Sequence, residues 1–183
     1  MTRKVQHSLL SNAKVNKKDE FYTQLIDIES ELKYYENQFK DKVVYCNCDD
    51  ASFSNFFKYF SLNFTKLGIK KLITSCYKEG ENGFSSEYKG EKLSNGEVDA
   101  SKIITTKLEG DGDFRTPECI ELLIHSDIII TNPPFSLFRE YVAQLVKYDK
   151  KFLTIGSINV ITYKEIFPLI KENKVWLGVK MGR

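Results

Sequence analysis

The stretch Ser126-Asp127-Ile128-Ile129-Ile130-Thr131-Asn132-Pro133-Pro134-Phe135 decides the fold of this chain. Its apolar residues are consecutive rather than alternating. That is the signature of a strand covered on both faces, as in a parallel sheet with helices above and below. Asn132 and the two prolines end the strand abruptly. Proline fixes φ, lacks a backbone N–H and restricts the residue before it, so the Asn-Pro-Pro turn is stiff. Ser136 to Tyr148 then reads as a helix. A tight turn between a buried strand and a helix is where open α/β sheets bind ligands.

Working outward, the same alternation recurs. Phe21 to Phe39 reads as an amphipathic helix with Phe21, Leu25, Ile28, Leu32, Tyr35 and Phe39 on one face. Lys42–Cys46 is a strand, Phe53–Leu67 a helix closed by Gly68, and Lys71–Cys76 a second strand. Residues 78–112 turn rich in Gly, Ser, Glu and Lys, and Asn82-Gly83 and Asn95-Gly96 are hairpin signals, so an inserted loop or β-ribbon is expected there. A helix over Pro117–Leu123 precedes the Asp127–Thr131 strand. After it come a strand at Phe152–Gly156, a helix over Tyr163–Glu172 bent near Pro168, and a strand at Val175–Gly178. There is no internal repeat. This order predicts an α/β fold, a doubly wound and mostly parallel sheet of Rossmann-like type. Right-handed crossovers would bring the loops after Cys46, after Cys76, near Asp113 and at Asn132 to one edge.

Composition narrows the class. A chain of 183 residues, 42% hydrophobic and 28% charged, is ordinary for a soluble domain. No apolar stretch has membrane-spanning length, and the N-terminus lacks a signal-peptide core, so no membrane partner is expected. Cys46, Cys48, Cys76 and Cys119 form no Cys-x-x-Cys pair, and there are only two histidines. No metal site is expected, and reduced thiols in the cytoplasm fit best. The net charge of +2 does not by itself mark nucleic-acid binding. Arg3, Lys4, Lys14, Lys17 and Lys18 nevertheless precede the first acid, Asp19, so residues 1–17 read either as a basic arm that tracks phosphates or as a frayed, solvated end.

The Asn132–Phe135 loop suits one kind of chemistry. An exocyclic amino group on a purine is a poor nucleophile because its lone pair is delocalised into the ring. Two fixed acceptors for its N–H groups, the Asn132 side-chain carbonyl and the Pro133 backbone carbonyl, would draw the nitrogen toward tetrahedral geometry. Pro134 stiffens the loop, and Phe135 offers a flat face on which an extruded base can stack, worth about 1–3 kcal/mol. Without that context, Asn-Pro is also a common turn opener.

Taken together, these segments resemble the adenine-specific DNA methyltransferases of the EcoRI methylase type, over nearly the whole chain from about Lys18. Lys18–Thr23, which includes Tyr22 and Thr23, looks like the family's N-terminal cofactor-contacting segment. Val43–Asp50 stands where the first cofactor motif belongs, with Asn47 and Asp49 as the implied contacts. Gly110–Arg115, with Asp113 and Phe114, stands where the family contacts the adenine ring of S-adenosylmethionine. Asp127–Phe135 is the catalytic strand and loop. The resemblance implies S-adenosylmethionine as cofactor, double-stranded DNA with a flipped adenine as substrate, and methyl transfer to N6. It also implies a catalytic domain over residues 18–183 with no target-recognition region, and a sheet truncated at its C-terminus. The sequence does not set the oligomeric state.

Departures leave alternatives open. The first motif, Cys46-Asn47-Cys48-Asp49-Asp50, contains no glycine. Asp49 or Asp50 reads either as an acceptor for a ligand ammonium or as part of a plain strand-to-helix turn with an N-cap. Gly110–Asp113 reads equally as a simple turn. Amino-methyltransferases acting on RNA adenine or protein glutamine use similar loops. An inactive, truncated nucleic-acid-binding remnant is the non-enzymatic alternative.

Overall fold

The computed structural model describes residues 23–179; Tyr22, the basic arm and the last four residues lie outside that range. A six-stranded sheet is ordered β4-β3-β2-β1-β5-β6. Its strands are β1 Val43–Asn47, β2 Lys71–Cys76, β3 Phe84–Tyr88, β4 Ile104–Lys107, β5 Ile128–Thr131 and β6 Lys151–Thr154. Strands β2, β1, β5 and β6 run parallel, while β3 and β4 extend the sheet antiparallel beyond β2. The helices are α1 Leu25–Leu32, α2 Asn55–Leu62, α3 Phe64–Leu67, α4 Pro117–Ile124, α5 Phe138–Lys147 and α6 Phe167–Lys171.

The winding follows from strands apolar on both faces. Val44 and Cys46 of β1 join Leu72, Ile128 and Ile130 on one face, under Phe56 and Phe60 of α2 and Ile28 and Leu32 of α1. Val43 and Tyr45 join Ile73 and Ile129 on the other, under Leu123 of α4 and Tyr141 and Leu145 of α5. Each fully buried aromatic or aliphatic side chain adds about 1.5–3 kcal/mol, so neither layer is dispensable. Phe39 meets Phe60 edge to face at 5.2 Å, which locks the α1 layer onto α2.

Several elements differ from the expectations above. The first helix ends at Leu32 rather than Phe39. Lys33 and Tyr34 face solvent, so nothing packs the next turn, and a 3₁₀ turn at Glu36–Gln38 returns Phe39 to the core. The Phe53–Leu67 helix is split at Asn63, whose side-chain amide donates to the Tyr59 carbonyl (2.9 Å) and competes with the helical ladder. It starts at Asn55 because the Ser54 hydroxyl caps the N–H groups of Phe56 and Phe57. Gly68 closes α3 in the left-handed region at φ 65°. Pro168 sits in the first turn of α6 instead of bending a longer helix, since its missing N–H costs nothing there. Val175–Gly178 forms no strand. Trp176 is 71% exposed, and the Glu31 carboxylate holds this stretch against α1 by accepting from the Val179 N–H (2.8 Å).

Candidate active site

Chain direction places the crevice. β1 crosses to β2 through α2 on one face, and β5 crosses to β6 through α5 on the other. The strand order therefore reverses between β1 and β5, and the switch point lies at their carboxyl ends. The loops that meet there begin at Asn47 and at Asn132.

The loop after β1 makes its turn without glycine. Cys48 takes the left-handed conformation at φ 70° in its place, a state that costs a non-glycine residue about 1–3 kcal/mol and persists where the surroundings fix it. Asn47 is 2% exposed, and its side-chain oxygen accepts from the Tyr141 hydroxyl of α5. The Asp49 N–H donates to the Ser75 carbonyl at the end of β2 (2.9 Å). Asp49 Oδ1 accepts from the Ser54 hydroxyl (2.6 Å), and Oδ2 lies 2.5 Å from the Thr131 hydroxyl. Burial pushes the Asp49 carboxyl up to about 7, against the lowering effect of its two hydroxyl partners.

The loop after β5 is tied to the same place. Thr131, fully buried, also donates to the Asn47 backbone carbonyl. Asn132 is 8% exposed, Pro133 is buried, and Pro134 and Phe135 are half-buried. The Pro134 carbonyl is engaged by the Leu137 N–H (3.0 Å), in the 3₁₀ turn Phe135–Leu137 that leads into α5. Among the described residues no hydrogen bond goes to the Pro133 carbonyl. Asn132 and Pro133 thus sit one and two residues beyond a hydroxyl that grips the opposite loop.

The remaining expected residues divide. The Thr23 carbonyl accepts from the Asn55 side-chain amide (2.8 Å), which brings Thr23 to the start of α2 beside Ser54. Tyr22 lies outside the described residues. Asp113 receives Arg115 through both oxygens, from Nε (2.8 Å) and Nη2 (2.7 Å). Arg115 also reaches Glu140 of α5 (2.9 Å), and these two carboxylates hold its guanidinium firmly protonated. Phe114 is 4% exposed and stacks edge to face on Tyr141 at 5.1 Å, inside the core. Its ring supports the Tyr141 phenol that binds Asn47. Thr131, Tyr141 and Ser54 are the residues that sequence reasoning missed as parts of the site. The one signal was that a tyrosine on the apolar face of a helix must find a partner for its hydroxyl.

Two hollows lie elsewhere. One of about 690 Å³ is lined by Ile161, Phe167, Pro168 and Leu177, and one of about 340 Å³ by Asn82, Gly110 and Asp111. At the crevice itself, hydrogen bonds from Thr131 join the two loops. Among the described residues no group of three or more His, Cys, Asp or Glu is arranged to hold a metal, and no helix is long and apolar enough to cross a membrane.

A family model described as adenine-specific methyltransferase EcoRI matches residues 9–183. The chain belongs to this EcoRI methylase family. A curated relative, the type II methyltransferase M.EcoRI of Escherichia coli, is 58% identical over 191 residues, covering all of this chain and 59% of its own length. M.MgeORF184P of Mycoplasma genitalium is 38% identical over 94% of the chain and 51% of its own length. M.MpnI of Mycoplasma pneumoniae is 40% identical over 92% and 50%. The chain thus spans between half and three-fifths of the length of these methylase relatives. No solved structure matches it.

Proposed function

We propose that this chain carries the catalytic centre of a site-specific DNA methyltransferase that methylates N6 of adenine, as in restriction–modification systems. The observation that carries the reading is the Asn132-Pro133 pair at the switch point, clamped through Thr131 to the Asn47–Asp49 loop. Membership of the EcoRI methylase family and the names of its type II relatives support the same chemistry.

The residues at the crevice fit S-adenosylmethionine. It is a cationic amino acid joined to a nucleoside, and the crevice offers the Asp49 carboxyl and the backbone of a left-handed turn as acceptors, with the Asn47 amide held beside them by Tyr141. Thr23 stands beside them, and Tyr22 and Asp113 complete the proposed set. Asp113 would act with Arg115 already attached, and Phe114 from behind, through Tyr141. When bound, this cofactor supplies a methyl group already activated as a sulfonium.

The chain's own residues do the rest. Asn132 accepts one N6 hydrogen through its side-chain oxygen, and the Pro133 carbonyl accepts the other. Phe135 stacks under the flipped base, which offsets part of the few kcal/mol that extrusion costs. The stiff loop fixes both acceptors beforehand, so alignment takes little reorganisation. The amino proton leaves to solvent after transfer, so no strong base is needed. The enzyme works in the cytoplasm on double-stranded DNA with its four cysteines reduced.

The test is radiolabelled methyl transfer onto DNA, RNA and protein by the wild-type chain and by Asn132→Ala. Label on DNA adenine, lost in Asn132→Ala with cofactor affinity kept within about twofold, supports the reading. Full activity in Asn132→Ala refutes the role of the loop, and label confined to RNA or protein refutes the substrate.

A further inference from the structure

At the crevice, two acceptors share a single hydroxyl. Thr131 Oγ1 lies within hydrogen-bond distance of both the Asn47 carbonyl and Asp49 Oδ2. A threonine hydroxyl has one proton to donate, and a carbonyl has none. Both contacts are favourable only if a second proton sits between Asp49 and Thr131. The resulting chain is directional: Asp49 Oδ2–H donates to Thr131 Oγ1, whose own hydrogen donates to the Asn47 carbonyl. Asp49 Oδ1 remains an acceptor for Ser54, whose oxygen in turn accepts from Phe56 N–H (3.1 Å) and Phe57 N–H (3.2 Å). A carboxylic acid satisfies both contacts of Thr131 at once, whereas a carboxylate, which keeps Ser54 as a donor, would have to share the Thr131 proton with the Asn47 carbonyl.

We propose that Asp49 is held as a carboxylic acid in the ligand-free chain and gives up this proton when a cationic ligand occupies the crevice. The ligand class rests on the cofactor reading above.

The surroundings favour this state. Burial raises Asp49 against the lowering effect of the Ser54 and Thr131 hydroxyls, and among the described residues no cation contributes to lowering it. The Cys46 thiol of β1 is pushed up first by burial and then by Asp49. The Tyr141 phenol of α5 is likewise raised, chiefly by burial, and also by Cys48, Tyr45 and Asp49. Both are neutral near pH 7 and supply no countercharge. Lys78, on the loop after β2, is paired with the neighbouring Asp50 at 3.8 Å. A ligand carrying an ammonium or sulfonium then brings Asp49 a cation that the described residues do not supply. Its arrival makes the carboxylate the preferred form; the O–H bond breaks and the proton passes to buffer. Thr131 is freed to donate to Asp49, so the grip between the two loops changes when the ligand binds. Thr131 is in this sense a positioning residue that links cofactor binding to the loop bearing Asn132.

The test is ¹³C NMR of the aspartate carboxyls in the 183-residue chain, with the Asp49 signal assigned by its loss in Asp49→Asn. The expected result is a carboxyl titrating near pH 7 without ligand and fully ionised at pH 6 once saturated with S-adenosylmethionine. Calorimetry at pH 6 in buffers of different ionisation enthalpy should show about 0.9 proton more released by wild type than by Asp49→Asn. Wild-type affinity should fall roughly tenfold from pH 8 to pH 6 relative to the variant. An Asp49 that titrates in the ordinary carboxylate range, or one that stays protonated with ligand bound, overturns the proposal while leaving the cofactor reading intact. A carboxyl titrating near pH 7 in a chain that never binds S-adenosylmethionine overturns the cofactor reading and, with it, the release step.

Discussion

Replacing Tyr141 by Phe removes a single oxygen and should expose how the crevice is held. The phenol is fully buried, and its hydroxyl donates to Asn47 Oδ1, on a residue only 2% exposed. Without it the amide oxygen keeps its burial and loses this donor, a penalty of about 1–3 kcal/mol. The ring remains, so its edge-to-face contact with Phe114 is unchanged and packing adds little to the loss. Tyr45→Phe is the matched control. Tyr45 is equally buried, but its partner is the Ser75 hydroxyl (2.7 Å), which can rotate toward another acceptor. Its loss should cost about 1 kcal/mol or less. Urea denaturation followed by circular dichroism would resolve the two. With a slope of about 2 kcal/mol per molar, Tyr141→Phe should lower the midpoint by roughly 0.5–1.5 M and Tyr45→Phe by less than half of that. Tyr141→Phe should also weaken cofactor binding, whereas Tyr45→Phe should not. Equal midpoints in the two variants would refute the assignment of Tyr141 as the support of Asn47.

Stability should depend on pH through Asp49. Its folded value is raised from the ordinary 3.8 to about 7, so between those pH values the unfolded state is ionised while the folded state is not. The unfolded state then holds fewer protons, and stability falls as pH rises from about 4 to 7, by up to about 4 kcal/mol, and is flat above. Asp49→Asn, whose amide can donate to Thr131, should flatten that slope and be the more stable protein at pH 8, measured by thermal melts across pH. Gly112→Ala should cost about 3 kcal/mol or more, since Gly112 sits at φ 81° and an added Cβ would stand 2.2 Å from the Cys76 carbonyl. Gly96→Ala, at φ 85° with open space around it, should cost only about 1 kcal/mol in the same melts. Thr131→Val should separate the loops and lower methyl transfer at least tenfold while the fold, read by circular dichroism, persists.

Much of this architecture was legible because burial on both faces leaves a plain mark. The Ile128–Ile130 run has no polar side, so the sequence alone marks β5 and its Asn-Pro-Pro terminus. Asn47, Asp49 and Asn132 were legible by their positions at strand ends. What joins them was not. A hydroxyl at the end of a strand or on a helix face, as in Thr131 and Tyr141, carries no periodic signal of its partner. Phe114 follows Asp113 in a glycine turn and looked like a ligand contact, but nothing in the turn says which way the ring points, and it points into the core. Asn82-Gly83 carried a hairpin signal, yet Gly80 makes the turn at φ 74°. Gly83 is there because a Cβ would stand 2.6 Å from the Cys76 carbonyl. Val175–Gly178 had a strand's composition, but three apolar residues and a glycine become a strand only where a sheet edge receives them.

Calorimetric titration of the 183-residue chain with S-adenosylmethionine tests the central claim most directly, because the crevice between β1 and β5 must form a cofactor site from these residues alone. Saturable one-to-one binding, weakened by Tyr141→Phe, is the predicted result. A folded chain that shows no binding would contradict the account.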